Sequence, residues 1–397
     1  MTDQDRWLLP EGIEELLPPW AERLERLSRA LLDLYRSWGY ERVMPPLIEY
    51  LESLLTGTGN DLDLQTFKLT DQLTGRLMGV RADITPQVAR IDAHRLNRDT
   101  PTRLCYLDRV LRTRPEEPGG PRSPLQVGVE LYGHSGIESD VEVLCLMLET
   151  LELTGVSQVH VDLGHVGIFR GLARAAGLDA EQEVALFDAL QRKALPEIRE
   201  QLGRCGIDAE QRRMLAGLAG WNGDEGCLAE AEQGLRGAGT DVLEALGELR
   251  VIATALRTRW PNLPMYFDLA ELRGYHYQTG VVFAAFTPGR GQEVARGGRY
   301  DDIGRVFGRA RAATGFSADL QQLMSMAQTS GEPQGPGAIF APWGDAPGLQ
   351  ARVRELRAAG ERVIGALPGQ HGGAADLGCD RVLVKRDGVW VVELGGG

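Results

Sequence analysis

The stretch Leu104–Gly133, LCYLDRVLRTRPEEPGGPRSPLQVGVELYG, decides how this chain is read. Its two ends, Thr102–Val110 and Leu125–Gly133, carry strand signals, and between them lies a run of Arg, Pro and Gly that suits a loop. Further strand signals sit on both sides: Tyr40–Met44 (closed by Pro45-Pro46) and Gly75–Val80 before it, Val159–Leu163, Met265–Leu269 and Tyr277–Phe286 after it. Helical spacing of Trp20, Leu24, Leu27, Leu31, Leu34, Tyr35 and Trp38 predicts an amphipathic helix over Trp20–Trp38, stopped by Gly39. A second helix is expected over Glu138–Leu153. A glycine-rich turn at Ala295–Arg299 is expected to lead into a last core helix at about Ser317–Met326. Regular βαβ alternation is missing, and so is any G-x-G-x-x-G or Walker A loop. The order predicts an α+β fold with a mixed or antiparallel sheet flanked by helices.

Residues 167–257 change character, becoming rich in Ala, Leu, Glu and Arg at helical periodicity, with turns at Gly177, Gly206 and Gly223. They read as a helical insertion within a core domain of residues 1–327. Residues 328–337 are dense in Gly, Pro, Ser and Gln and are expected to be a linker. Residues 338–397 read as a small α/β unit: strand, helix, strand, then a hairpin over Arg381–Lys385 and Val389–Leu394 turned by Asp387-Gly388.

The 397 residues carry 43 Lys and Arg against 56 Asp and Glu, a net charge of -13, which argues against a large nucleic-acid footprint. No apolar run approaches the ~20 residues of a membrane span, and the polar N-terminus is followed by no signal core, so a cytoplasmic location is expected. The five cysteines are scattered, and the His, Cys and Asp spacing suits no metal motif; a reduced, metal-free chain without a cofactor is expected. His160 and His165 beside a strand end read as structural, and Ser135 lacks the setting of a nucleophile.

Four segments occur in a fixed order. Trp20–Trp38 running into Gly39-Tyr40-Glu41-Arg42-Val43-Met44-Pro45-Pro46 resembles motif 1 of class II aminoacyl-tRNA synthetases, whose helix, strand and proline build a dimer interface. Arg81-Ala82-Asp83-Ile84-Thr85-Pro86 is similar to the Arg-Pro-Glu-Gly-Thr segment of histidyl-tRNA synthetases. Tyr106 through Gly133, with Arg112, Gln126, Gly128 and Glu130, resembles their motif 2. Leu272-Arg273-Gly274-Tyr275-His276-Tyr277 resembles their Arg-Gly-Leu-Asp-Tyr-Tyr signature, followed by Gly297-Gly298-Arg299-Tyr300-Asp301 and a motif 3-like segment at Gly315–Leu323. The resemblance spans roughly residues 8–326 and implies a class II synthetase-like sheet.

The departures carry the functional reading. By the resemblance, Arg112 would grip the α-phosphate of ATP, but the acid expected two residues on is Arg114, and the arginine that would close motif 3 is Gln322. Each lost donor to a charged transition state costs ~2.7–4 kcal/mol, so two independent defects slow adenylation by roughly 10⁴-fold or more. The histidine side is better kept. The resemblance implies Glu130 and Gln126 bonding an imidazole or ammonium, Asp83 and Thr85 holding an amino group, and Arg112 or Arg273 facing a carboxylate, with Tyr277 in the signature. Asp83 is one methylene shorter than the glutamate of the resembled segment, and His276 replaces an aspartate. The same groups also admit a second reading, as a silent polar core whose members only satisfy one another. Glu116 and Glu117 in the motif 2-like loop are expected to be mobile rather than catalytic.

A histidyl-tRNA-synthetase-like chain with a degenerate nucleotide site is similar to the family of regulatory subunits of ATP phosphoribosyltransferase. The resemblance implies a non-catalytic chain that joins and activates a short-form catalytic subunit at the first step of histidine biosynthesis, and that is needed for feedback by histidine. It also implies self-association through the motif 1-like helix and strand. The alternative is a divergent histidyl-tRNA synthetase, or a paralogue activating another amino acid.

Overall fold

The computed structural model describes residues 7–56, 60–116, 119–272, 274–275, 277–327 and 337–395, with side chains 60 and 61 aside. Contacts divide the chain into two units, Met1–Gln328 and Thr329–Gly397.

The first unit is organised by a nine-stranded mixed sheet. Its middle is six antiparallel strands in the order Thr102–Arg109, Leu125–Tyr132, Ala313–Asp319, Ala295–Arg299, Val281–Phe286 and His160–His165. Glu41–Arg42 adds in parallel at one edge; Met265–Asp268, also parallel, and the short Asn222–Gly223 complete the other. Strand alternation sorts the two faces. Cys105, Val127, Val129 and Leu131 point into the main core, where they meet Leu24, Leu31 and Tyr35 of the helix Trp20–Ser37 and the almost wholly buried helix Ile137–Leu153. Leu104, Tyr106 and Tyr132 point the other way, into a smaller cluster with Ile84, Val88, Tyr300 and Phe307. That second face is only partly roofed, by the helix Thr85–Ile91, and it carries the site.

The insertion is a set of short helices between Val166–Ala175 and Thr240–Arg259, and its apolar residues continue the main core. His165 ties it down. Its Nδ1 accepts from the Gly167 N–H at 3.1 Å, capping the first helix, while its Nε2 lies 2.9 Å from Glu248 on the last. The second unit has a four-stranded sheet, with Ala338–Ala341 parallel to both Val363–Gly365 and Cys379–Arg386, and a hairpin closing on Val389–Leu394. Asp387 and Gly388 both take positive φ, 47° and 84°, as a type I′ turn requires.

Several expected elements shift. Ala295–Arg299 is a strand rather than a turn: its two glycines reflect close approach, since a Cβ on Gly297 would lie 2.2 Å from the Gly315 carbonyl oxygen. Ala313–Asp319 is a strand, so the last core helix begins only at Leu320, where the Asp319 carboxylate accepts from the Gln321 N–H. The strand expected from Tyr277 begins at Val281, because Gly274 at φ 69° starts a turn whose carbonyl accepts from the Tyr277 and Gln278 N–H groups. The strand expected over Tyr40–Met44 pairs only at Glu41–Arg42, with one further bond from the Val43 N–H to the Cys105 carbonyl. No described helix is long and apolar enough to cross a membrane.

Candidate functional site

Glu130 lies on this second face, 1% exposed. Cross-strand register sets it beside Leu104 and Gly315, and Gly315 is there for space: a Cβ would fall 1.8 Å from the Glu130 Oε2. The hydroxyl of Tyr106 donates to Oε1 at 3.1 Å and that of Tyr300 donates to Oε2. Burial pushes the Glu130 carboxyl well above the usual range, and the Asp83 charge nearby adds to the effect; bonds from the Thr85 and Tyr106 hydroxyls offset it only in part. Two acids therefore share this end of the cleft.

Asp83 is fixed by its neighbours. Gln126 Nε2 donates to its Oδ1 at 2.8 Å, the Thr85 N–H donates to the same oxygen at 3.1 Å, and Gln126 Oε1 accepts from the Ile84 N–H at 3.0 Å. The turn that carries Asp83 is anchored by Arg81, a fully buried guanidinium. It donates to the Arg109 and Pro45 carbonyls at 2.8 and 2.7 Å and pairs with Asp108 at 2.9 Å. Asp83, Thr85, Gln126 and Glu130 are thus one network, with Tyr106 linking Thr85 (3.3 Å) to Glu130.

The opposite end is cationic. Arg112 is buried, donates through Nε to the Ala82 carbonyl at 3.3 Å, and pairs with Glu116 at 3.0 Å. Arg296 reaches the other oxygen of Glu116 at 2.7 Å. Burial pushes the Glu116 carboxyl up, but the guanidiniums of Arg296 and Arg112 outweigh it and leave it below the usual range. Glu116, expected to be mobile, is instead held between two arginines; Glu117 lies outside the described residues. Arg296 shares the open face because it pairs with Ser317, as Gly298 pairs with Gly315. Between the two ends the sheet carries small residues, Gly128, Ser317, Gly315 and Gly298, and the space over the glycines is taken by Tyr106, Glu130 and Gln278. The cleft accordingly has an acidic pole and a basic pole.

A family model described as histidyl-tRNA synthetase matches residues 12–323, and one described as the ATP phosphoribosyltransferase subunit HisZ C-terminal domain matches residues 336–393. A protein of Thioalkalivibrio sulfidiphilus named ATP phosphoribosyltransferase regulatory subunit is 63% identical over 387 residues, covering 97% of each chain. One of the same name from Alkalilimnicola ehrlichii is 61% identical over 395 residues, covering 99% of this chain and 98% of its own. This chain belongs to the family of ATP phosphoribosyltransferase regulatory subunits. A solved structure titled ATP phosphoribosyltransferase regulatory subunit/histidyl-tRNA synthetase, from Bacillus halodurans, is 28% identical with a TM-score of 0.81, covering 93% of this chain and 95% of that one. The fold of this regulatory-subunit family is that of the class II synthetases, as expected from the four segments.

Arg114 is exposed, and Gln322 sits half-buried on the helix Leu320–Met326. Its neighbour Gln321 accepts from Arg109 at 3.0 Å. Asp319, raised by burial and partly relieved by backbone N–H groups and Arg112, lies close to the arginine. The structure brings Asp83, Thr85, Gln126, Glu130 and Arg112 to one cleft. Tyr277 is half exposed in the turn after Gly274, within electrostatic reach of Arg296. Arg273 and His276 lie outside the described residues. Among the described residues no group of three or more His, Cys, Asp or Glu could hold a metal.

Sequence reasoning missed Tyr106, Tyr300 and Arg296 as members of the site. Period-two alternation puts Tyr106 on the same face as its cross-strand partner Gly128 and hence Glu130, a signal available in the quoted stretch. Arg296 was hidden because its segment was read as a turn, and a turn gives no facing.

Proposed function

We propose that this chain is the non-catalytic regulatory subunit of an ATP phosphoribosyltransferase: it joins and activates a short-form catalytic subunit, and histidine bound in the Glu130 cleft conveys feedback inhibition. The observation that carries the reading is the asymmetry of the cleft. Its amino-acid side is furnished with Glu130, Asp83, Gln126 and Thr85 in one network and with Arg112 at the other pole, whereas its nucleotide positions hold Arg114 and Gln322. A zwitterion with a second basic group suits a cleft of this polarity, its cationic groups against Glu130 and Asp83, its carboxylate toward Arg112. Pairing of this kind offsets the desolvation penalty of buried charges.

The regulation follows from linkage. A subunit that prefers the active state of its partner raises activity by that differential affinity, and histidine inhibits by preferring the other state of the assembly. Self-association through the helix Trp20–Ser37 and the strand after it belongs to the same reading, supported by the exposed apolar side chains Trp20, Met44, Leu47 and Ile48. Light scattering at micromolar concentration should give at least a dimer.

The deciding experiment mixes this chain with a short-form catalytic subunit from the same source and follows phosphoribosyl-ATP formation with and without histidine. A rate increase that histidine suppresses is the expected result. No rate increase and no co-elution would sink the proposal, and histidine-dependent ATP–pyrophosphate exchange by this chain alone would favour the synthetase alternative.

A further inference from the structure

The basic pole is filled by a carboxylate of the chain itself. Glu116 bridges Arg112 and Arg296, one oxygen to each guanidinium, at 3.0 and 2.7 Å. The two arginines arrive from different elements: Arg112 from the loop after the strand Thr102–Arg109, Arg296 from a strand three places across the sheet. Two guanidiniums converging from separate elements, one on each oxygen of a carboxylate, form an anion site. Arg112 is held in place independently of Glu116, by its bond to the Ala82 carbonyl and by a backbone bridge to Thr66, so the site persists without its present occupant. Glu293 also pairs with Arg296, at 3.1 Å, and steadies it from the far side. Glu116 differs in kind: it is more than a third exposed and rides on an irregular loop.

We infer that Arg112 and Arg296 together form the carboxylate-recognising subsite of the cleft, and that Glu116 is an internal competitor occupying it until a ligand carboxylate displaces it. The inference rests on the cleft reading proposed above and adds two residues to it. Its consequence is a coupling: ligand entry releases the Glu116 side chain, so occupancy of the subsite is reported at the protein surface. Affinity for a carboxylate ligand is reduced by the fraction of time the subsite is occupied by Glu116, and removing the competitor restores it.

Calorimetry on the full chain tests this with two probes, L-histidine and L-histidinol, which lacks the carboxylate. Glu116→Gln removes the competing charge at an exposed position and is expected to tighten histidine binding by about 3- to 10-fold while leaving histidinol unchanged. In the Glu116→Gln background, Arg296→Ala is expected to weaken histidine by about tenfold, again sparing histidinol. Histidine binding to the unaltered chain that Glu116→Gln leaves unchanged or weakens would overturn the inference and spare the cleft reading. Binding that appears only in Glu116→Gln supports both. No histidine binding to either protein overturns both.

Discussion

At the scale of the residue, the cleft turns on Glu130. A carboxyl raised in the folded state holds its proton more tightly there than in the unfolded chain. Its stabilising contribution is therefore fully present below the ordinary carboxylate value of about 4.3 and is lost as pH rises through the raised folded value. A cationic ligand group reverses the balance by favouring the anion, so binding should release up to about one proton and strengthen as pH rises toward that value. Calorimetry in buffers of different ionisation heat measures this directly; a binding heat independent of buffer would remove Glu130 from contact with the ligand cation. Glu130→Gln mimics the protonated acid, so it should fold normally yet lose the proton release and most of the affinity. Gly315→Ala probes the packing around the same carboxyl. Its methyl would collide with Glu130 Oε2 and with the Val129 carbonyl, and the expected loss is about 1–3 kcal/mol in urea unfolding.

At the scale of the element, the sheet is locked to the helix Ile137–Leu153 by a buried ion pair. Arg299, at the end of the strand Ala295–Arg299, donates through Nη2 and Nε to Asp140 at 2.7 and 3.0 Å. The same guanidinium donates to Ser139 Oγ at 2.8 Å and to the Gly136 carbonyl at 3.2 Å, so it ties the strand to the start of the helix Ile137–Leu153. Burial raises the Asp140 carboxyl even with Arg299 beside it, so the aspartate depends on the guanidinium to stay charged. Arg299→Ala strands that charge and is expected to cost about 3–5 kcal/mol in urea unfolding, with much of the loss recovered when Asp140→Ala is added. Equal and additive losses for the two changes would mean the pair is not the joint described here.

At the scale of the whole molecule, the chain keeps a synthetase frame. Arg114 and Gln322 stand where the resemblance to motifs 2 and 3 puts an acid and an arginine, and on the proposed reading histidine-dependent ATP–pyrophosphate exchange should sit at background. A radiolabel exchange assay at saturating ATP and histidine reads this, and turnover within an order of magnitude of an ordinary synthetase would contradict it.

The sequence by itself determined the fold class, the family and most of the acidic pole. Those signals are local: a helix stripe at Leu24, Leu31 and Tyr35, two strands around a loop, and short motifs whose residues stay together along the chain. Asp83, Thr85, Gln126 and Glu130 were legible because each lies inside such a motif. Tertiary structure alone brought Glu116 and Arg296 to Arg112 at the basic pole. Glu116 and Arg296 are 180 residues apart and meet only because Ala295–Arg299 is a strand in register with Ala313–Asp319, which its two glycines disguised as a turn. The space for Glu130 has the same origin: Gly315 can be named from sequence, but the contact its hydrogen permits exists only across two paired strands.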